Sequence, residues 1–552
     1  MYHQFEWLNQ NNRLFLSRGY VTDGRPAEER YLEIAAKAEQ EYNIPGYANR
    51  LAYYFSKGWA SLASPVISNF GNERGLPISC NNSHFGDSVE AIVTKIAEIA
   101  TMTKHGAGTS AFLGDLRERG APISVGGTSF GPVHFAELID RTVSIISQSN
   151  IRRGNCAVYL PVEHPDIMEF LEIREEGNAI QKLSIGVTFT RQWIAEMKAG
   201  DMAKRAIWWR LIRKRFETGY PYFFFTDNVN DSLPAWYKDK GMRVRSSNLC
   251  TEITEPSDDN ESFVCDLSSL NLAKYDEWKD TDFIFDMIIF LDIITEEYIR
   301  KTANIKYLEA AHRFARRHRA LGLGVLGWHT LLQQRMLPFG SKGAYQLNDE
   351  IHTIIQSESI RASEWLAKEY GEPEVMEGYG RRNSMLNAIA PTKSSSFILG
   401  SGQISASIEA WESNYYIENL AKTKLTIRNE LLEKVLEEHG INSPDTWMQI
   451  ALDGGSVRNL NIDRHAKDVF KTSIEIDQKD VILQAAQRQK RIDQSQSLNL
   501  MVHPDTDITE VSRLHLLAEA AGVKTLYYMH GRNLTQDFAR EQQSASCTAC
   551  EA

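Results

Sequence analysis

The strongest constraint on this chain is a change of period along its length. From about residue 65 to about residue 530, short apolar runs alternate with stretches whose apolar residues recur every three or four positions. Runs at 157–162, 183–189, 222–226, 384–390, 495–502 and 524–528 read as strands. Segments 88–103, 192–199, 350–370 and 511–521 read as the helices between them. Strands separated by helices pair largely in parallel, with helices covering both faces of the sheet. The pattern predicts an α/β fold whose functional groups gather on loops at strand ends.

Two end regions fall outside this alternation. The first sixty or so residues read as helical: Tyr31, Ile34, Ala35 and Ala38 keep helical spacing after an Asp23-Gly24-Arg25-Pro26 turn, with proline placed for a first helical position. After Asn533 the chain becomes polar and small, LTQDFAREQQSASCTACEA, with no apolar period, which predicts a mobile tail. The expected organisation is a helical region 1–62, a catalytic domain 63–530 and a tail 531–552.

Composition excludes several classes. Of 552 residues, 42% are hydrophobic and 24% charged, which is the balance of a globular protein. A net charge of −11 lacks the basic excess of a chain that binds nucleic-acid polymers. No charged head precedes an apolar stretch at the N-terminus, and the most apolar window, 283–294, contains Asp286 and Asp292 and is too short to cross a bilayer. It reads as a buried helix, and a cytoplasmic protein with no membrane partner is expected. The basic run 312–319, HRFARRHR, could hold phosphates or pair with acids. Gly322, Gly324 and Gly327 lack the strand–turn–helix setting of a dinucleotide fingerprint and read as close-packing positions.

The six cysteines, at 80, 156, 250, 265, 547 and 550, are too sparse for a secreted disulfide scaffold and lack the two close pairs of a zinc site. Cys156 reads as a packed small residue in a loop. Around Cys250 the sequence is SSNLCTEIT. In an extended chain, Asn248, Cys250 and Glu252 would share one face and could act as anchor, reactive atom and proton acceptor. From the spacing alone, a buried, inert thiol among ordinary loop residues is the favoured reading.

SNLCTEI resembles the radical-cysteine motif of ribonucleotide reductases. Cys80 in LPISCNNSHFGDS and Cys265 in SFVCDLSSLNL are similar to that family's two reducing cysteines. Lys524-Thr525-Leu526-Tyr527-Tyr528 resembles the tyrosine pair that conducts the radical in class I enzymes, and Cys547 and Cys550 resemble the tail's shuttle dithiol. The resemblance implies a large, catalytic subunit with a ten-stranded α/β barrel of two parallel five-stranded halves, and Cys250 on a loop entering its centre. It implies that a Cys250 thiyl radical abstracts the 3′ hydrogen of a ribonucleotide. Glu252 would take the 3′-hydroxyl proton, Asn248 would hold the ribose hydroxyls, and Cys80 and Cys265 would supply two electrons.

Further matches imply binding sites. Pro391, Thr392, Lys393, Ser394, Ser395 and Ser396 follow a strand, as a phosphate cradle would. In the family the matching segment binds the substrate diphosphate, and Ser64 and Ser79 match substrate contacts. Asp87, Ser88, Arg117, Ile123, Gln148 and Arg152 match positions that bind a nucleotide effector (ATP or a deoxynucleoside triphosphate, with magnesium) and select the substrate. No metal-ligand cluster is visible. The resemblance therefore implies a smaller, radical-generating subunit carrying the metal centre, a homodimer, and a thioredoxin or glutaredoxin as reductant. With Cys80 this early and the preceding helical region this short, no additional N-terminal ATP-binding regulatory domain is expected. A cobalamin-dependent reductase and a nucleotide-binding regulatory protein without catalysis are the alternatives.

Overall fold

The computed structural model describes residues 4–17, 19–21, 24–146, 154–420 and 423–531. Its strands are β1 (Ala60–Leu62), β2 (Cys80–Asn81), β3 (Ser83–His84), β4 (Thr109–Phe112), β5 (Cys156–Pro161), β6 (Ser184–Phe189), β7 (Tyr222–Phe225), β8 (Val264–Asn271), β9 (Leu321–Leu326), β10 (Tyr415–Leu420), β11 (Thr423–Arg428), β12 (Leu500–Val502), β13 (Thr525–Leu526) and β14 (Met529–Gly531).

Among the described residues, the pairings close a ring of ten extended segments. Segment 80–84 (β2 and β3), β4, β5, β6 and β7 run parallel in that order. A second parallel set starts at β8, passes to β9, and continues by single bridges from Leu323 to Asn387 and from Ile389 to Gln496. It then ends where the β12 run pairs with the β14 run. The two sets meet antiparallel at two seams, β2 against β8 and β7 against β13. This is the expected barrel of two five-stranded halves. Full closure removes the exposed sheet edges that an open sheet must protect.

Burial explains the sequence of the first half. Every residue of β4, β6 and β7 is buried, and β5 is buried except at Pro161. Strands covered on both faces need no polar alternation, hence runs such as YFFF at Tyr222–Phe225. Cys156 opens β5 opposite Thr109 rather than lying in a loop, and burial pushes its thiol up to about 12. It is a packed strand residue.

Gly322 and Gly324 lie on β9, where a Cβ would come 2.4 Å from Leu267 Cδ2 and 2.4 Å from the Ala388 carbonyl oxygen, respectively. They let segment 387–389 approach, which is the packing role expected for them. β9 does, however, run through left-handed Gly327 directly into the helix Trp328–Gln334, so a strand–turn–helix setting is present where the sequence predicted none. The apolar window belongs to the buried helix Phe283–Thr302. Its acids are paired: Asp286 with Arg50 at 2.8 Å, and Asp292 with Arg319 at 2.8 Å and Arg382 at 2.9 Å. The basic run likewise pairs with acids, Arg317 reaching Glu261 and Glu374.

The helices Gln10–Leu16, Ala27–Tyr42 and Tyr47–Lys57 precede β1. Pro26 caps the second from outside instead of occupying its first turn. No helix among the described residues is long and apolar enough to cross a membrane. The tail with Cys547 and Cys550, and the loop with Gln148 and Arg152, lie outside the described residues.

Candidate active site

Segment 246–254 lies inside the ring and is held from both halves of it. Ser110 Oγ donates to the Ser247 carbonyl at 2.9 Å, and Tyr159 Oη donates to the Asn248 carbonyl at 3.0 Å. From the other half, Thr525 Oγ1 donates to the Thr251 carbonyl at 3.0 Å. Ser497 Oγ lies 2.5 Å from the Cys250 carbonyl and 3.1 Å from Glu252 Oε2. The Ser495 amide donates to the Glu252 carbonyl. The loop is fixed by side-chain hydrogen bonds because it has no ladder of its own.

The segment is a tight turn, not the extended chain whose period would align Asn248, Cys250 and Glu252. Thr251 takes a left-handed φ of 73°, and the Asn248 amide donates across the turn to the Ile253 carbonyl. The turn itself brings the groups together: Asn248 Nδ2 donates to Glu252 Oε1 at 2.9 Å. Asn248 Oδ1 meanwhile accepts from the Ile253 amide. Both side chains are buried, as is Cys250. Burial pushes the Glu252 carboxyl up to about 7, against the opposing bonds from its own backbone, Asn248 and Ser497. A carboxyl poised near neutrality beside a thiol can take or give a proton at working pH.

Cys80 and Cys265 face each other across the β2–β8 seam. Directly opposed residues in an antiparallel pair have Cα separations of about 4.5–5.5 Å, inside the ~4.4–6.8 Å span of disulfides. Cys80, Cys156, Cys250 and Cys265 carry reduced thiols in this structure. Cys80 is half-buried, whereas Cys265 is buried. Burial, then the neighbouring Glu255, pushes the Cys265 thiol well above its ordinary range.

Tyr527 and Tyr528 follow β13, at the other seam. Their ring centroids are 4.2 Å apart, and Tyr527 packs on Tyr222 of β7 at 4.8 Å. The Tyr527 amide donates to the Leu498 carbonyl, one residue from Ser497. The tyrosine pair and the Cys250 turn therefore share one supporting strand run.

Segment 391–396 begins the helix Lys393–Gly400, with Ser394, Ser395 and Ser396 buried in its first turn. Thr392 Oγ1 accepts from the Ser407 amide rather than capping the helix. Ser64 opens the buried turn of helix Ser64–Asn69, and Ser79 adjoins Cys80.

A separate cluster lies near the surface. Asp87 accepts from Arg117 Nε at 2.7 Å and from its amide at 3.2 Å, while Arg117 Nη1 reaches the Pro122 carbonyl. Ser88 caps the helix Val89–Lys104, and half-buried Ile123 closes the turn above Arg117.

Sequence reasoning missed Ser497, Tyr159, Gln494 and Tyr220. Ser497 had a visible signal: SQSLN places four polar residues in a run read as a strand. Buried polar groups of that kind are there to hold something. Tyr220, whose hydroxyl lies 3.0 Å from that of Tyr528, had none.

The chain matches the family model "Ribonucleotide reductase, barrel domain" over residues 78–204, 191–378 and 373–529. It is 33% identical over 534 residues to a protein of Frog virus 3 (isolate Goorha) named as a ribonucleoside-diphosphate reductase large subunit, covering 92% of this chain and 93% of that one. It is 30% identical over 593 residues to the ribonucleoside-diphosphate reductase large subunit of Invertebrate iridescent virus 3, covering 91% and 92%. Among solved structures, the Actinobacillus ureae class Id ribonucleotide reductase alpha subunit is 48% identical and superposes with a TM-score of 0.91, covering 97% of this chain and 99% of that one. A closed ring of ten strands around a Cys250 turn, matched along nearly its whole length by these proteins, makes this chain a member of the ribonucleotide reductase family, of its large, alpha-subunit branch.

Proposed function

We propose that this chain reduces ribonucleoside diphosphates to 2′-deoxyribonucleoside diphosphates by radical chemistry on Cys250. The observation that carries this reading is the buried turn in which Asn248 grips Glu252 two residues from Cys250, with Cys80 and Cys265 opposed at the neighbouring seam. Cys250, as a thiyl radical, takes the 3′ hydrogen atom of the ribose and returns it at the end of the cycle. Glu252 accepts the 3′-hydroxyl proton, for which a carboxyl near neutrality is suited. Asn248 orients both Glu252 and the ribose hydroxyls. The 2′-hydroxyl leaves as water with a proton from the Cys80/Cys265 pair, which gives two electrons and closes to a disulfide. Cys547 and Cys550 restore the pair by thiol exchange and are themselves reduced by a thioredoxin- or glutaredoxin-type dithiol.

The substrate diphosphate sits at Pro391, Thr392, Lys393, Ser394 and Ser395, with Ser64 and Ser79 beside the sugar. A nucleotide effector with its magnesium occupies the Asp87, Ser88, Arg117 and Ile123 cluster together with Gln148 and Arg152. The radical arrives through Tyr528 and Tyr527 from a smaller subunit that holds the metal centre. Exposed Val89, Val93, Leu138 and Ile145, on two helices beside the effector cluster, fit a homodimer interface. The test is CDP reduction with candidate small subunits and a dithiol reductant. Dependence on a small subunit supports the reading; turnover with adenosylcobalamin alone refutes it.

A further inference from the structure

One buried acid stands outside the scheme above. Glu255, three residues beyond Glu252, is fully buried, and its Oε1 has no hydrogen-bond partner among the described residues. Gln494 ties its segment to the reducing pair: Gln494 Oε1 accepts from the Thr254 amide at 3.1 Å, while Gln494 Nε2 donates to Cys265 Sγ at 3.4 Å. The other oxygen, Oε2, lies 2.7 Å from Tyr237 Oη. Tyr237 Oη is also 3.0 Å from His318 Nδ1, and His318 Nε2 is 3.1 Å from Glu261 Oε2. Arg317 bridges Glu261 to the exposed Glu374. A line of hydrogen-bonded titratable groups thus runs from Glu255, whose charge acts on Cys265, to Glu261, which Arg317 pairs with the surface.

The line has a defined polarity. Burial opposes ionisation of Glu261, but His318 and Arg317 outweigh it and hold the carboxyl below its ordinary range. Ionised Glu261 accepts from His318 Nε2–H. Burial disfavours the charged form of His318, whose Nδ1 faces the Tyr237 oxygen. Tyr237 has a single hydroxyl proton and donates it to Glu255 Oε2, so its oxygen can accept from His318 Nδ1–H. Glu255 is a neutral carboxylic acid, the state its burial favours, and with Oε2 accepting from Tyr237 its own proton sits on Oε1. A proton entering at His318 would pass from Nδ1 to Tyr237 and from Tyr237 to Oε2, refilling Glu255 once Oε1 has given its proton up. The other groups facing Glu255 are Asp493 and Lys524; Cys265 is also faced by Cys80 and Asp266.

We propose that Glu255 is the proton donor to Cys265 when the Cys80–Cys265 disulfide is reduced, refilled from the surface through Tyr237, His318 and Glu261. The proposal rests on the reading of Cys80 and Cys265 as the reducing pair. A dithiol's thiolate attacks the more accessible sulfur, Cys80 Sγ, forming a mixed disulfide. The Cys80–Cys265 bond breaks, and its electron pair stays on Cys265 as a thiolate. Glu255 passes its Oε1 proton to that sulfur. The second thiol of the dithiol then closes its own disulfide and releases Cys80, so the dithiol supplies both electrons. Without a donor, a thiolate buried this deeply is a poor leaving group.

The test uses the full chain with Cys547→Ser and Cys550→Ser, oxidised with diamide and reduced with dithiothreitol, the thiols being trapped and located by mass spectrometry. With the rate normalised to dithiothreitol thiolate, the otherwise unaltered chain shows an alkaline limb where Glu255 ionises. Glu255→Gln slows reduction about a hundredfold and abolishes that limb. Tyr237→Phe removes a bond that favours the Glu255 carboxylate, so it moves the limb to higher pH. It carries the test should Glu255→Gln not fold. An unchanged rate and limb in Glu255→Gln, or an unmoved limb in Tyr237→Phe, overturns the proposal. Failure of diamide to join Cys80 and Cys265 at all overturns instead the assignment of the reducing pair on which it rests.

Discussion

The first half of the barrel, from segment 80–84 to β7, is joined by continuous parallel ladders between buried strands. The second half keeps one long ladder, β8 to β9, and then crosses to segments 387–389 and 495–502 by single bridges. There side chains replace missing backbone pairs: Asp493 accepts from the Leu386 and Asn387 amides at 2.7 and 2.8 Å, and Thr525 and Ser495 share a hydrogen bond. The contacts to the Cys250 turn from Ser497, Ser495 and Thr525 come from this interrupted half. Both halves present polar groups to the turn, but the first does so from unbroken ladders, through Ser110 and Tyr159, while the second gives up ladder bonds to do it.

The comparison sets an order of expected effects. Cys250→Ser should reduce deoxynucleotide formation to background with nucleotide binding and thermal melting unchanged; retained turnover would remove the reactive thiol from the scheme. Ser497→Ala should cost about a hundredfold in turnover but only ~1–3 kcal/mol in stability, since it loosens the turn and leaves few groups unsatisfied. Ile185→Ala in β6 should do the reverse, costing ~2–5 kcal/mol in denaturant titrations while the folded fraction keeps its turnover. If both variants lose stability and turnover in proportion, the contrast between the halves fails.

Glu252 yields a prediction in pH. Its carboxyl titrates at 4.5 when unperturbed and is pushed up to about 7 in the fold. Between these values the folded state holds more protons than the unfolded chain, so stability falls as pH rises from about 4.5 to about 7 and stays low above. The full shift corresponds to ~3 kcal/mol. Glu252→Gln removes that loss: relative to the unsubstituted chain it should gain up to ~3 kcal/mol above about pH 8 and nothing near pH 4, while turnover drops sharply. Equal pH dependence of unfolding in both proteins would show that Glu252 is not the titrating group. The smallest effect is expected from Tyr220→Phe, which removes one hydrogen bond from Tyr528 and should slow small-subunit-driven turnover about threefold.

Much of this was legible from residues alone. Buried runs such as YFFF at β7 identify their strands because two-sided burial leaves a continuous apolar signature. Segments 384–390 and 495–502 were also visible as runs, but not that they pair by single bridges, since bridge spacing depends on tertiary geometry. Cys80, Cys250 and Cys265 were placed by motif, yet the conformation around Cys250 was misread. A period of two describes a strand, and the left-handed Thr251 that folds Asn248 onto Glu252 carries no local mark. Tyr220, Tyr237 and His318 were silent for the same reason: their partners lie 308, 18 and 57 residues away in sequence.

The antiparallel seam between β2 and β8 has a mechanical consequence. Cys80 and Cys265 stand opposite each other where the two halves of the barrel meet. A bond between them would convert the wall from a hydrogen-bonded cylinder into a covalently hooped one, restraining the unfolded chain by roughly 5 kcal/mol for a closed loop of this size. The spent form of the protein would then be its toughest. Every cycle of reduction would loosen the hoop before the next substrate is turned over, so heat resistance would report the redox state of the population.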